Sequence, residues 1–126
     1  MIHPGAVVYA KNLDKVGAFY AAVTGFVVTH SAADHMTLAG ESFQLVIVAI
    51  PASIAAGIEI ADPPVRREDT AIKLMFAVPS LSAARKVVAA HGGELNPIEW
   101  EWQSEGVRVC DGHDPEGNVI QLRERV

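Results

Sequence analysis

A single cysteine, Cys110, stands among 126 residues, so no disulfide can form within the chain. That scarcity fits a reducing compartment and makes a cytoplasmic setting the expectation, with Cys110 read as a small buried hydrophobe. No run of eighteen apolar residues occurs, which excludes a membrane-spanning helix of ordinary length. The opening Met1-Ile2-His3-Pro4 lacks the basic start and apolar stretch of a secretory signal. Positive charge is also short. Ten Lys and Arg stand against fifteen Asp and Glu, net −5, and the basic residues form no stripe. Nucleic acid is therefore not an expected partner. Half of the residues are hydrophobic, enough for one compact domain with its own core.

What is present is one plan written twice. Ala6-Val7-Val8-Tyr9-Ala10 reads as a strand leading to Asn12, a good helix N-cap. Leu13, Val16, Phe19, Tyr20 and Val23 then form one apolar helical face, and Gly25 ends the helix. In the second copy Ile72–Val78 is the strand, Ser80 the cap, and Leu81, Ala84, Val87 and Val88 the apolar face, with Gly92-Gly93 as the stop. The offset is constant at 68 residues, from Asn12 to Ser80 and from Gly25 to Gly93. A fixed offset over strand, cap, helix and stop marks an internal repeat.

Three strand candidates follow each helix. They are about Phe26–His30, His35–Ala39 and Phe43–Ala49 in the first half, and about Leu95–Trp102, Val107–Cys110 and Val119–Arg123 in the second. Each half is thus β-α-β-β-β, an α+β arrangement. The expected organisation is a single domain over 1–126, with module one at about 4–50, a connector at 51–70 and module two at about 71–126. A connector of that length is expected to be mobile or functional, as a flap or a dimer contact.

The last strand is introduced by a distinctive turn, Asp114-Pro115-Glu116-Gly117-Asn118, followed by Val119-Ile120-Gln121-Leu122. Pro115 suits the start of a turn, and Gly117 and Asn118 tolerate positive φ. This run resembles the C-terminal signature of the vicinal-oxygen-chelate superfamily, which includes glyoxalase I, fosfomycin-resistance enzymes, extradiol dioxygenases and bleomycin-binding proteins. The segment Lys11-Asn12-Leu13 through Phe19-Tyr20 to Thr24-Gly25-Phe26 is similar to that family's usual opening. The resemblance implies two tandem βαβββ modules forming a U-shaped, mostly antiparallel sheet around a concave pocket. It also implies a homodimer, since family members of this length commonly form one.

Metalloenzymes of the superfamily carry ligands on the first and last strand of each module. Counting from the helix caps, and pairing Gln44-Leu45 with Gln121-Leu122, the resemblance places those positions at Gly5, Gln44, Lys73 and Gln121. A glycine, two neutral amides and an ammonium are a poor ligand set for a divalent metal, so no metal or other cofactor is expected. His30, His35 and His113 read as surface or turn histidines, and His91 as a residue serving the helix C-terminus.

Strand parity gives those positions another use. Val7 and Tyr9 share the face of Gly5, Val46 and Val48 that of Gln44, Met75 that of Lys73, and Val119 that of Gln121. The opposite parity, including Leu45, Ile47, Phe76, Ile120 and Leu122, is more uniformly large and apolar and should pack under the helices. Trp100 and Trp102 read as alternate residues on one strand face with Ile98, available as an aromatic wall or for packing. The expected pocket is therefore Gly5, Val7, Tyr9, Gln44, Val46, Lys73, Met75, Trp100, Trp102 and Gln121, a mix suited to a small organic ligand. The reading that follows is a metal-independent small-molecule-binding protein, bleomycin-resistance-like in architecture. The alternative is an enzyme with glyoxalase-, dioxygenase- or isomerase-like lyase chemistry, using a displaced metal site or Lys73 as acid/base.

Overall fold

Asn12 begins the first helix as its side chain predicts, its Oδ1 accepting from the Lys15 amide at 3.1 Å. Helix α1 runs Leu13–Thr24 and ends at Gly25, whose φ of 72° is left-handed. The computed structural model describes residues 2–126. Met1, the first residue of the stretch read for a signal sequence, lies outside them. The chain parts into two compact units between Glu59 and Ile60, inside the expected connector.

In the first unit the strands are β1 (Gly5–Ala10), β2 (Val27–Ser31), β3 (His35–Ala39) and β4 (Gln44–Ala49), followed by a one-turn helix α2 (Ala52–Ala55). They form a sheet in the order β1-β4-β3-β2, with β1 parallel to β4 and the other pairs antiparallel. Val16, Phe19 and Tyr20 of α1 are buried, as are Leu38, Leu45 and Ile47 of the sheet. Phe19 and Tyr20 meet edge to face, their centroids 5.0 Å apart. Each such side chain contributes about 1.5–3 kcal/mol through burial, which holds the amphipathic helix on the sheet.

The second unit repeats the plan with β5 (Leu74–Ala77), α3 (Leu81–Ala90), β6 (Glu94–Leu95), β7 (Trp102–Ser104), β8 (Val107–His113) and β9 (Val119–Arg125). Its order is β5-β9-β8-β6, with β7 also paired to β8 and β5 parallel to β9. The cap of α3 is doubled. Ser80 Oγ accepts from the Ala83 amide at 3.1 Å, and Glu124 at the end of β9 accepts from the Leu81 amide at 2.7 Å. Leu81, Ala84 and Val88 are buried under the sheet residues Phe76, Ile120 and Leu122, all buried as strand parity requires. Both units thus realise the mixed α+β, βαβββ plan expected from the sequence.

Three local readings change. The strand expected over Leu95–Trp102 is broken: β6 ends at Leu95, Ile98–Trp100 is a 3-10 turn, and β7 starts at Trp102. The cause is Pro97, at φ −52°, which has no N–H to give a ladder. The strand expected from Ile72 begins at Leu74, leaving Lys73 just ahead of it. In the signature turn only Gly117 uses positive φ, at 84°. Asn118 instead donates its backbone N–H and its Nδ2 to the buried Asp114 carboxylate, at 3.0 and 2.8 Å. The connector rests on this turn: Arg67 N–H donates to Gly117 O at 2.8 Å, and a Cβ on Gly117 would lie 2.1 Å from Val65 O.

Candidate functional site

Strand register decides which residues stand together. In the first unit Gly5 pairs with Gln44 and Val7 with Val46. In the second, Met75 pairs with Gln121. The 68-residue offset carries Val7 to Met75, so the counterpart of Gln121 is Val46, not Gln44. The Gln-Leu pair in each half is a coincidence of sequence two residues out of topological register. Gln44 still shares the face of Val46. Direct partners extend the comparison: Thr37 stands beside Val46, whereas Asp111 stands beside Gln121.

Asp111 organises the open face of the second sheet. Its Oδ2 accepts from Lys73 Nζ at 2.9 Å and its Oδ1 from Gln121 Nε2 at 3.0 Å. Arg123 Nε donates to Gln121 Oε1 at 2.8 Å, so the glutamine amide is engaged at both ends. The Lys73 side chain is 41% exposed and that of Asp111 24%. Neither Asp111 nor Arg123 was singled out from the sequence. Alternation places both on a strand face, but their partnership depends on how β8 pairs with β9, for which the sequence carries no local signal.

A cavity of about 390 Å³ opens beside this network, lined by Arg66, Glu68, Thr70, Lys73, Asn96 and Asp111 among others. Part of the connector therefore lines a cavity. Arg66 Nε donates to His113 Nδ1 at 3.0 Å, and its Nη1 donates to Asn96 Oδ1 at 2.5 Å. His113 is neither the surface nor the turn histidine expected: it is the last residue of β8, at 8% exposure. Burial, and secondly the Arg66 guanidinium, hold its imidazole below the ordinary value, which suits its role as acceptor.

The first unit's open face is different in kind. Val7 and Tyr9 are 56% and 65% exposed. Tyr9 and Val48 reach a broad, mainly apolar cavity of about 830 Å³ that Ile50, Pro51, Ala52 and Ala55 also line. Gly5 has no room for a side chain: a Cβ there would lie 1.9 Å from Gln44 O. On the second sheet's open face Met75 is 58% exposed, and Trp102, paired with Val109, takes the side of Val109 and Arg123. Trp100 sits in the 3-10 turn at 65% exposure, so the two indoles do not form the expected strand-borne pair.

Several other titratable groups make contacts within each unit. Cys110 is fully buried, and burial pushes its thiol up. Arg85 donates to Glu101 and to the Asn96 carbonyl, tying α3 to the segment that follows β6. His91 Nδ1 lies 2.9 Å from Val87 O at the end of α3. His30 and His35 stack with centroids 4.9 Å apart. The hydrogen bond to His35, then its charge, holds exposed Asp34 below the usual carboxylate range.

The residues at the superfamily's metal positions do not fit a divalent cation. Gly5 has no side chain and no space for one. Val46, the register counterpart of Gln121, has no donor atom. Lys73 brings a positive charge, and the Gln121 amide is already engaged at both ends. Among the described residues no cluster of three His, Cys, Asp or Glu could hold a metal ion, and no helix is long and apolar enough to cross a membrane.

Comparison with known proteins agrees with the fold. A glyoxalase/bleomycin resistance protein from Albidiferax ferrireducens T118 is similar over 97% of each chain, with a TM-score of 0.68 at 18% identity. A bleomycin resistance determinant encoded on the transposon Tn5 matches over 99% of this chain and 98% of its own, with a TM-score of 0.62 at 16% identity. A fosfomycin resistance protein from Listeria monocytogenes matches over 100% and 93%, with a TM-score of 0.64 at 16% identity. No curated protein matches the sequence significantly. The glyoxalase-like domain model matches residues 5–123. With that match, the paired βαβββ units and the Asp114–Leu122 signature, the chain belongs to the glyoxalase-like family, within the vicinal-oxygen-chelate superfamily.

Proposed function

We propose that the chain is a small-molecule-binding protein that works without a metal, taking an organic ligand at the open face of its second sheet. One observation carries this reading. At the position where metalloenzymes of the superfamily hold a metal-binding glutamate, Gln121 is locked between Asp111 and Arg123, and Lys73 closes on the same Asp111. The result is a set of mixed hydrogen-bonding groups beside a cavity of about 390 Å³, within the usual size range of small-ligand sites.

Two measurements on one sample test it. Protein purified without a metal-affinity tag should contain far less than one equivalent of Ni, Zn, Mn or Fe. A thermal-shift screen of small organic molecules should return stabilising ligands whose effect Lys73→Met weakens. A ligand at 100 times its Kd adds about 2.7 kcal/mol of stability. Stoichiometric metal that disappears in Gln121→Ala would overturn the proposal.

The enzyme reading has one geometric observation in its favour. Lys73 Nζ and Asp111 Oδ2, 2.9 Å apart, form a proton donor and acceptor pair lining the cavity. If that pair is catalytic, Lys73→Met abolishes turnover of a substrate found by screening; unchanged turnover removes Lys73 from the chemistry.

A further inference from the structure

The groups lining the second unit's cavity are unevenly used. Both Asp111 oxygens accept hydrogen bonds, from Lys73 and from Gln121. The donors are left with capacity. Arg66 spends Nε on His113 and Nη1 on Asn96, and its Nη2 has no hydrogen-bond partner among the described residues. Lys73 makes one hydrogen bond with an ammonium that can make three. Glu68 also lines the cavity; it and Lys73 are both exposed, so water screens the charge of each, and it is the unused N–H donors that distinguish the site. The spare capacity is therefore cationic and donor-rich.

Arg66 is also positioned rather than free. The segment around it is fastened to the signature turn by the Arg67–Gly117 hydrogen bond and by the close approach of Val65 to Gly117. Its guanidinium plane is fixed by two acceptors on other elements, His113 at the end of β8 and Asn96 after β6. A guanidinium fixed at Nε and Nη1 holds the remaining Nη2 N–H groups in a defined direction, as recognition of an oxyanion requires.

We propose that Arg66 and Lys73 form a subsite for the anionic group, carboxylate or phosphate, of the small molecule this cavity takes. The inference rests on the small-molecule reading above and names the chemistry of the ligand. Arg66 supplies the oriented Nη2 donors and Lys73 the mobile charge. His113 and Asn96 are positioning residues that hold Arg66. The charged groups acting on His113 are Arg66 from the connector, Glu94 opposite it on β6, and Asp114 next to it in the turn.

The test follows backbone amide NMR signals while sodium acetate and, separately, inorganic phosphate are added at constant ionic strength. The Gly112 and Val119 amides, beside the cavity, should shift and saturate with at least one of the two anions, and the tighter anion identifies the group. Arg66→Gln should weaken that binding by about tenfold or more, the loss expected for a charge-assisted hydrogen bond, while Arg66→Lys keeps part of it. Bound anion should also raise the midpoint of the His113 titration in the parent protein. Absence of saturable shifts with both anions would overturn the proposal, as would equal loss in Arg66→Gln and Arg66→Lys. A ligand from the thermal-shift screen that binds Arg66→Gln as tightly as the parent would overturn the anionic subsite and leave the small-molecule reading standing.

Discussion

Apart from the strand that Pro97 breaks in the second, the two units share a backbone plan and differ most on one face of the sheet. On the side packed under the helix they are alike: Leu45 and Ile47 in one, Ile120 and Leu122 in the other, all at 0–1% exposure. On the open side, Val7, Val46 and Thr37 of the first sheet stand where Met75, Gln121 and Asp111 stand in the second. Duplicated folds keep what packing demands, because a helix needs the same apolar floor in both copies. The open face carries no such demand and is free to diverge. In this protein the first copy presents valines and Tyr9 beside Gln44 and Thr37, and the second a network in which Asp111 joins Lys73 to Gln121.

Leu45→Ala and Leu122→Ala should each cost about 2–5 kcal/mol in chemical denaturation, because both side chains are fully buried. A clear inequality would show that the packed faces are not equivalent. Gly117→Ala should cost about 1–3 kcal/mol, combining a left-handed φ with the Val65 carbonyl 2.1 Å from the new Cβ. Gly5→Ala should cost a similar amount, about 1–3 kcal/mol, since the obstructing Gln44 oxygen is backbone and cannot swing aside. If Gly5→Ala is neutral in thermal melts, the first unit has room for a ligand side chain after all.

Gln121→Glu should restore the superfamily's residue without restoring a metal site. It sets a second carboxylate against Asp111 in place of a hydrogen bond at 3.0 Å. The expected outcome is destabilisation of about 1.5–3 kcal/mol at neutral pH and no stoichiometric metal by elemental analysis. The smallest effect is a pH dependence confined to the second unit. The His113 value is lowered from 6.5 by burial and by Arg66, so the folded state binds fewer protons than the unfolded chain. Stability should therefore be fully present above about pH 6.5 and fall as pH drops from there through the folded value. Denaturation midpoints measured across that range should lose this slope in His113→Gln, whereas substitutions at His30 in the first unit leave it in place.

Much of the fold was legible in the chain. Caps at Asn12 and Ser80, glycine stops at Gly25 and Gly92 (one residue short of the constant offset), and apolar helical faces are local features that set local conformation. Repetition at a constant offset made them mutually supporting. The break at Pro97 was legible too, since a proline cannot serve mid-ladder, but the alternation of Glu99, Trp100, Glu101 and Trp102 masked it. The site was less accessible. Lys73 and Gln121 were found through the resemblance, while Asp111, Arg123, Arg66 and Asn96 were not. Their roles come from pairing between elements that lie far apart in sequence.

Two repeated βαβββ modules and the turn at Asp114–Asn118 follow from residue type and short-range spacing; that Gly5 and Lys73, poor ligands by residue type, stand at metal positions is what the resemblance implies. Only the folded chain shows that Val46 is the counterpart of Gln121, that Asp111 joins Lys73 to Gln121, and that His113 is buried as an acceptor for Arg66. Strand register and the path of a connector are set by long-range packing, and a shift of two residues leaves every side chain on its face while changing every neighbour.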